Sequence, residues 1–299
     1  MAETDANAQA QPEAQTETVE ASEFGSLLQR EFKPKSDQAK EAVESAVRTL
    51  AEQALQHTTL ISKDVLKSIE SMIAAIDRKL SEQINLIMHH PDFQELEGAW
   101  RGLNYLIFNT ETDEMLKIRV MNISKKDLSK TLKKYKGVVW DQSPLFKKIY
   151  EEEYGQFGGE PFGCLVGDYH FDHSPPDVEL LRNMAQIAAA SHTPFIAGAS
   201  PTVMQMDSWQ ELSNPRDLTK IFQTPEYGGW RGLRDSEDSR YIGLAMPRFL
   251  ARTPYGPKTD PVEEFDFEED VEGGDHSKYC WANSAYAMAT NITRAFKMY

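Results

Sequence analysis

A chain of 299 residues with 40% apolar and 10% aromatic side chains carries enough material for one large core or two smaller ones. Its net charge of −15 is concentrated: six acids (Glu3, Asp5, Glu13, Glu17, Glu20, Glu23) precede the first base, Arg30, and nine more (Asp260, Glu263, Glu264, Asp266, Glu268, Glu269, Asp270, Glu272, Asp275) run from Asp260 to Asp275 without a base. Taking those fifteen from 47 acids leaves 32 against 32 bases, a near-neutral body with no basic stripe to displace counterions from phosphates, which argues against nucleic acid as a partner.

Residues 1–23 are mainly Ala, Gln, Glu and Thr, too polar to offset the entropy of ordering, and are expected to form a disordered acidic tail. In the linker 24–37, Phe24, Leu27, Leu28 and Phe32 interrupt the polar tract. An isolated apolar segment of this kind is either a staple onto the body or a strand lent to another chain. A helical arm is expected over 38–110, with helices at 38–56, 63–90 and 93–108. In the second, Leu66, Ile69, Ile73, Ile76, Leu80, Ile84 and Ile87 recur at three- and four-residue intervals opposite a charged face. That stripe packs either on the chain's own domain or on a helix of a partner subunit. Asp92, after Pro91, is placed to cap the helix 93–108.

From 111 to 257 the pattern becomes α/β. Leu116, Ile118 and Val120 alternate with Lys117 and Arg119, predicting a half-buried strand. Helices follow at 124–135 and 143–154, a strand at 163–169, a Pro-initiated helix at 176–191 and a strand at 194–199. Helical segments near 207–223 and 234–240 lead to a third strand at 241–247. Short strands separated by helices predict an α/β fold: a mixed sheet with helices on both faces, preceded by the helical arm. The acidic loop 258–276 is either a solvated segment or a contact site, and 277–299 reads as a final helix.

Candidate chemistry is sparse. The loop after the 163–169 strand holds Asp168, His170, Asp172 and His173, residue types that suit a hard or borderline metal. Neighbouring loop residues seldom converge on one ion, and Ser174, Pro176 and Asp177 mark a helix start instead. In "GASPT" the Ser lacks the second Gly of a nucleophile elbow, and no phosphate-binding Gly motif occurs. Cys164 and Cys280 show neither disulfide-framework nor metal-ligand spacing, which fits a reducing cytosol. No secretory signal is expected at the N-terminus, and no run of 18 apolar residues is present to cross a membrane. The reading from the residues is non-enzymatic, without cofactor or metal. Arg101, Arg231, Arg234, Arg240, Arg248 and Arg252 sit in Gly- and aromatic-rich turns near carboxylates, so Arg–carboxylate forks are expected there, bracing loops internally or joining copies in an assembly.

Five stretches, "HPDFQELEGAWRGLNYLI", "EYGQFGGEPFGCLVGDYHF", "SHTPFIAGASP", "DSEDSRYIGLAMPRFLARTPYG" and "YCWANSAYAMA", together resemble the large sheath subunit of bacterial type VI secretion systems, the TssC or VipB family. The likeness runs in order over roughly 25–299. It implies a fold related to contractile phage tail sheath proteins, and a structural subunit that pairs with a small sheath subunit and polymerises around an inner tube. It also implies contacts with neighbouring protomers, a baseplate and an AAA+ unfoldase, the last chiefly through the small subunit, with no membrane insertion and a cytoplasmic location. By the same resemblance Leu27, Leu28 and Phe32 are the strand-exchange segment, and Leu66, Ile69, Ile73, Ile76 and Leu80 the small-subunit or inter-helix face. Trp100 and Arg101 then belong to a packing corner. Family members are longer, so the helix 277–299 is expected to lead into a further domain. Two rival readings are an α/β enzyme or metal-binding protein with its site at 168–173, and an adaptor that binds one partner without polymerising.

Overall fold

The protein is described from a computed structural model. The described residues are Ser45 and Thr49, both helical, together with 65–214 and 217–298. The expected tail, the linker and most of the 38–56 helix therefore lie outside the described residues. Two units are distinguished, Met1–Ile84 with Glu263–Phe267, and Asn85–Val262 with Glu268–Tyr299. The first contains most of helix α1 (Val65–Met88), on which Ile76 and Leu80 are half-buried while Met72 and Ile73 are exposed.

The second unit begins with the end of α1 and with α2 (Pro91–Phe108). The cap of α2 is His90 and not Asp92: the His90 Nδ1 accepts from the Asp92 N–H at 3.3 Å, and Pro91 opens the helix. A proline at the first helical position gives up an N–H that has no partner there in any case, which moves the start two residues earlier than expected. Gly98, Gly102 and Leu106 are buried at four-residue intervals along one face of α2. Next come α3 (Lys125–Lys134), capped by Ser124, and a single turn, α4 (Pro144–Phe146), capped by Ser143. The turn continues as a π-helix through Tyr154, where the N–H of Gly155 reaches back to Tyr150 O at 2.6 Å.

Strands β1 (Leu165–Phe171), β2 (Phe195–Ala199) and β3 (Ile242–Ala245) form a parallel sheet in that spatial order. Helix α5 (Pro175–Ala190) connects the first two; short α6 (Leu218–Gln223) and α7 (Gly228–Arg234) precede the third. All five residues of β2 are buried, as a central parallel strand covered on both sides requires. Side chains alternate between two clusters. Phe195 and Ala197 join Leu180, Leu181, Met184 and Ile187 of α5, while Val166 packs with Leu106, Tyr286 and Ala289 on the side of α8 (Ser284–Met298). Helices therefore cover both faces. Between Gly167 and His170 the β1–β2 register shifts, leaving Asp168 and Tyr169 out of the ladder. Those two meet the start of α8: Tyr286 donates to Asp168 Oδ2 at 3.1 Å, and Asn283 Nδ2 to the Tyr169 carbonyl at 3.0 Å.

Two expectations change. The main sheet is wholly parallel and not mixed; the antiparallel pairing belongs to a separate ribbon, β4 (Phe249–Leu250) with β5 (Trp281–Ala282). Residues 116–120 join no sheet among the described residues. Alternation reports which side is apolar and does not supply a partner strand. Ile118 packs on the Leu106–Tyr286 cluster, whereas Lys117 and Arg119 are tied to Glu160 and Glu153.

Close approach, not conformational freedom, demands the α2 glycines. A Cβ on Gly98 would run into the Trp281 carbonyl, and one on Gly102 into the Tyr286 ring. Gly102→Ala is expected to lower stability by about 1–3 kcal/mol through overpacking. Gly228 is helical (φ −56°, ψ −46°) and has open space at its Cβ, so Gly228→Ala should raise stability by about 0.4–1 kcal/mol. Urea midpoints of the two variants read both signs.

Candidate interaction site: an arginine–carboxylate hub behind the helix corner

Helix α2 presents Glu97 and Arg101 one turn apart, beside the two packing glycines. Arg101 Nε donates to Glu97 Oε1 at 2.7 Å and its Nη2 to the Tyr255 hydroxyl at 2.8 Å. Behind them lies Arg252, just past β4. Its Nε meets Glu97 Oε1 at 2.7 Å, while Nη1 and Nη2 grip Glu269 at 2.6 and 3.1 Å. The Arg252 and Glu269 side chains are only 6% and 1% exposed, so this is a buried fork. Tyr255 closes the ring: its N–H donates to Glu269 Oε2 at 2.9 Å, and its aromatic face lies 4.5 Å from the Arg252 guanidinium. One cation with a planar fork thus serves two carboxylates from segments 172 positions apart in sequence, Glu97 and Glu269.

The electrostatics follow from that geometry. Burial pushes the Glu97 carboxyl upward, but hydrogen bonds from Arg252 and Arg101 outweigh it and hold the group below its ordinary 4.5. Burial likewise works against the Arg252 charge, and Glu269 and Glu97 more than restore it. Nearby Cys280 is pushed up to about 12, mainly by burial and then by the Glu97 charge. Cys164, just before β1, rises to about 11 through burial alone, so neither thiol is a ready nucleophile at neutral pH.

The hub corrects two sequence expectations. The acidic loop 258–276 is not uniformly solvated, because Phe267 and Glu269 are buried. Of the six arginines expected to make carboxylate forks, Arg252 forks and Arg101 pairs with Glu97, whereas Arg231 donates to two carbonyls, Phe222 O and Thr224 O, each at 2.7 Å. Arg240 and Arg248 lie over the rings of Tyr241 and Trp281, and Arg234 is exposed. At the corner itself Arg101 joins the hub, but Trp100 projects outward at 66% exposure; the glycines make the close contacts. Nothing in the sequence distinguished Glu269 from its acidic neighbours, since only the approach of Arg252 gives it a role.

The four residues at 168–173 are used separately. Asp168 accepts from Tyr286, the His170 carbonyl from Lys125 Nζ at 2.6 Å, and Asp172 Oδ1 from the Ser174 N–H at 2.8 Å, while His173 stacks on Tyr227 with centroids 4.2 Å apart. Burial lowers the His170 pKa. No grouping of three or more His, Cys, Asp or Glu fit to hold a metal is present among the described residues. In "GASPT", Ser200 shares a 2.8 Å hydrogen bond with Thr202. Side chains of Leu66 and Ile69 and the segment with Leu27, Leu28 and Phe32 lie outside the described residues.

Removing one member of the buried fork leaves the other charge unpaired. Arg252→Met and Arg252→Lys are both expected to lower stability, the first by about 3–5 kcal/mol, measured by chemical denaturation. Because the folded-state pKa of Glu97 is depressed, its contribution is complete above 4.5 and is lost as pH falls through the folded value. Arg252→Met should therefore unfold with a weaker acid dependence than the unaltered chain below that pH.

Residues 70–299 match the VipB family, described as EvpB/VC_A0108, tail sheath N-terminal domain. The chain is also 74% identical over 287 residues to the type VI secretion system sheath protein TssC1 of Pseudomonas aeruginosa (strain PAO1), an alignment covering 96% of this chain and 58% of that protein. The chain spans a little over half the length of this curated relative. No described helix is long and apolar enough to cross a membrane. With the family matched over most of its length, the chain belongs to the TssC/VipB family of type VI secretion tail sheath proteins.

Proposed function

We propose that this chain is part of a structural subunit of a type VI contractile sheath, working in the cytoplasm without catalysis. The observation that carries the reading is the 74% identity to a sheath protein over nearly the whole chain. In this reading the subunit pairs with a small sheath subunit and stacks with neighbouring protomers around an inner tube on a baseplate. Contraction drives the tube and its effectors outward, and an AAA+ unfoldase recycles the contracted sheath chiefly through the small subunit. Contacts that repeat head to tail without closing build a filament, which is what such a sheath requires.

Features of the chain support an assembly role. The 168–173 residues are spent on helix starts, stacking and strand contacts, so the enzyme or metal reading gains no supporting observation. Exposed apolar side chains occur on both helices: Met72 and Ile73 on α1, and Phe93, Leu96, Trp100 and Ile107 on α2, where the intervals of three, four and seven suit one face. We assign the α1 stripe, Ile73, Ile76 and Leu80 with Leu66 and Ile69, to a helix of the small subunit. Leu27, Leu28 and Phe32 are assigned to the strand exchanged between protomers, where backbone pairing gives cohesion while subunits rotate.

The full-length protein, coexpressed with its small subunit, is expected to yield pelletable rods visible by negative-stain microscopy. A Leu28→Asp, Phe32→Asp double variant should abolish the rods while leaving the melting temperature of the purified subunit within about 2 °C. Rods of normal length from the double variant would remove the linker assignment. A discrete soluble particle from the unaltered pair would remove the sheath reading and favour an adaptor.

A further inference from the structure

Of the half-buried arginines in the second unit, Arg101, Arg231 and Arg252 donate to acceptors. Arg101, Arg119 and Arg252 meet carboxylates, and Arg231 meets carbonyls. Arg248, between β3 and β4, has neither kind of partner among the described residues; it lies 4.8 Å over the Trp281 ring. Burial alone shifts its guanidinium, downward from the ordinary value, with no opposing charge to restore it.

The carboxylates nearest this corner, Asp168 and Glu95, make no hydrogen bond to Arg248. His170 feels Arg248 and Lys125 as like charges and Asp168 and Glu95 as opposite ones. Lys125 is committed to Asp177 and the His170 carbonyl, and Asp168 to Tyr286. Met246 and Leu250, two positions to either side of Arg248, are exposed apolar residues. The site lies just beyond the carboxyl end of β3, the side on which open α/β sheets receive ligands. A partly desolvated arginine on an aromatic face, with exposed apolar residues two positions to either side, has the anatomy of an interface anchor.

We propose that Arg248, stacked on Trp281 and flanked by Met246 and Leu250, anchors a docking surface for a second protein chain that inserts a carboxylate side chain between apolar neighbours. The planar fork matches a carboxylate, and the apolar flanks match a protein segment, whereas one guanidinium on an acidic chain does not fit a phosphate polymer. The proposal adds a contact to the sheath reading and rests on it for the identity of the assembly, not for the chemistry of the site.

The test uses the full-length protein and two variants, Arg248→Met and Arg248→Lys. In the first arm a short acetylated peptide, Leu-Phe-Glu-Leu-Phe, and its Gln counterpart are titrated while the Trp281 indole N–H is followed by NMR. The Glu peptide should shift that resonance in the unaltered protein, at least tenfold more weakly in Arg248→Met, and the Gln peptide should not shift it. In the second arm, Arg248→Met alone should melt within about 2 °C of the unaltered protein or above it, since it sheds an unpaired charge. Rod yield with the small subunit should fall at least tenfold, with Arg248→Lys between. Equal shifts by both peptides, no shift, undiminished rods, or a melting point lowered by more than about 5 °C would each overturn the proposal. The last outcome would mean that the carboxylate comes from the same chain. A Glu-specific shift in a protein that never forms rods would keep the Arg248 site and sink the sheath reading instead.

Discussion

One guanidinium holds the second unit's long-range geometry. Arg252 cannot leave its two carboxylates without exposing a charge to a nearly dry interior, and Glu97 and Glu269 cannot separate while both grip it. Through that fork α2, the β4–β5 ribbon and the end of the acidic loop are fixed to one another. Tyr255 adds two hydrogen bonds and a ring face, so the fork is satisfied on every side. A fully partnered buried network rigidifies; a partly partnered one would weaken the same place.

Around the hub the packing is set by what is missing. Gly98 and Gly102 let α2 approach Trp281 and Tyr286, and Gly198 at the end of β2 leaves room for Asn283, whose Oδ1 would stand 2.6 Å from an added Cβ. Asn283 in turn bonds the Tyr169 carbonyl and the Ala285 N–H, joining the out-of-register part of β1 to the start of α8. The shift in β1 and the glycine in β2 are two halves of one contact. A regular ladder with a larger residue at 198 would hold α8 off the sheet.

The contrast between Arg252 and Arg248 separates internal cohesion from readiness for a partner. Both lie near aromatic faces and both lose solvent, yet Arg252 regains more than its desolvation cost from two acids and Arg248 from none. A subunit that acts by assembly needs both kinds of site, some closed on themselves and some left open at the surface. The exposed apolar side chains of α2 belong with the open kind, because a helix stripe of Phe93, Leu96, Trp100 and Ile107 gains nothing from water.

Local patterning by itself determined the α/β class, the amphipathic helix α1, the Pro-initiated helix expected at 176–191 and the strand expected at 194–199, because each depends on a period or a start signal within a few residues. The five motifs also carried the family, since long runs of matched residues in order identify a relative without any geometry. Tertiary structure alone decided that residues 116–120 join no sheet among the described residues, that the antiparallel pair stands apart from the parallel sheet, and that Glu269 is buried while its neighbour Glu268 is not. The reason is common to all three. A period tells a side chain which way to face, but a ladder partner or a counter-charge comes from a segment tens to hundreds of positions away, and only folding brings it there.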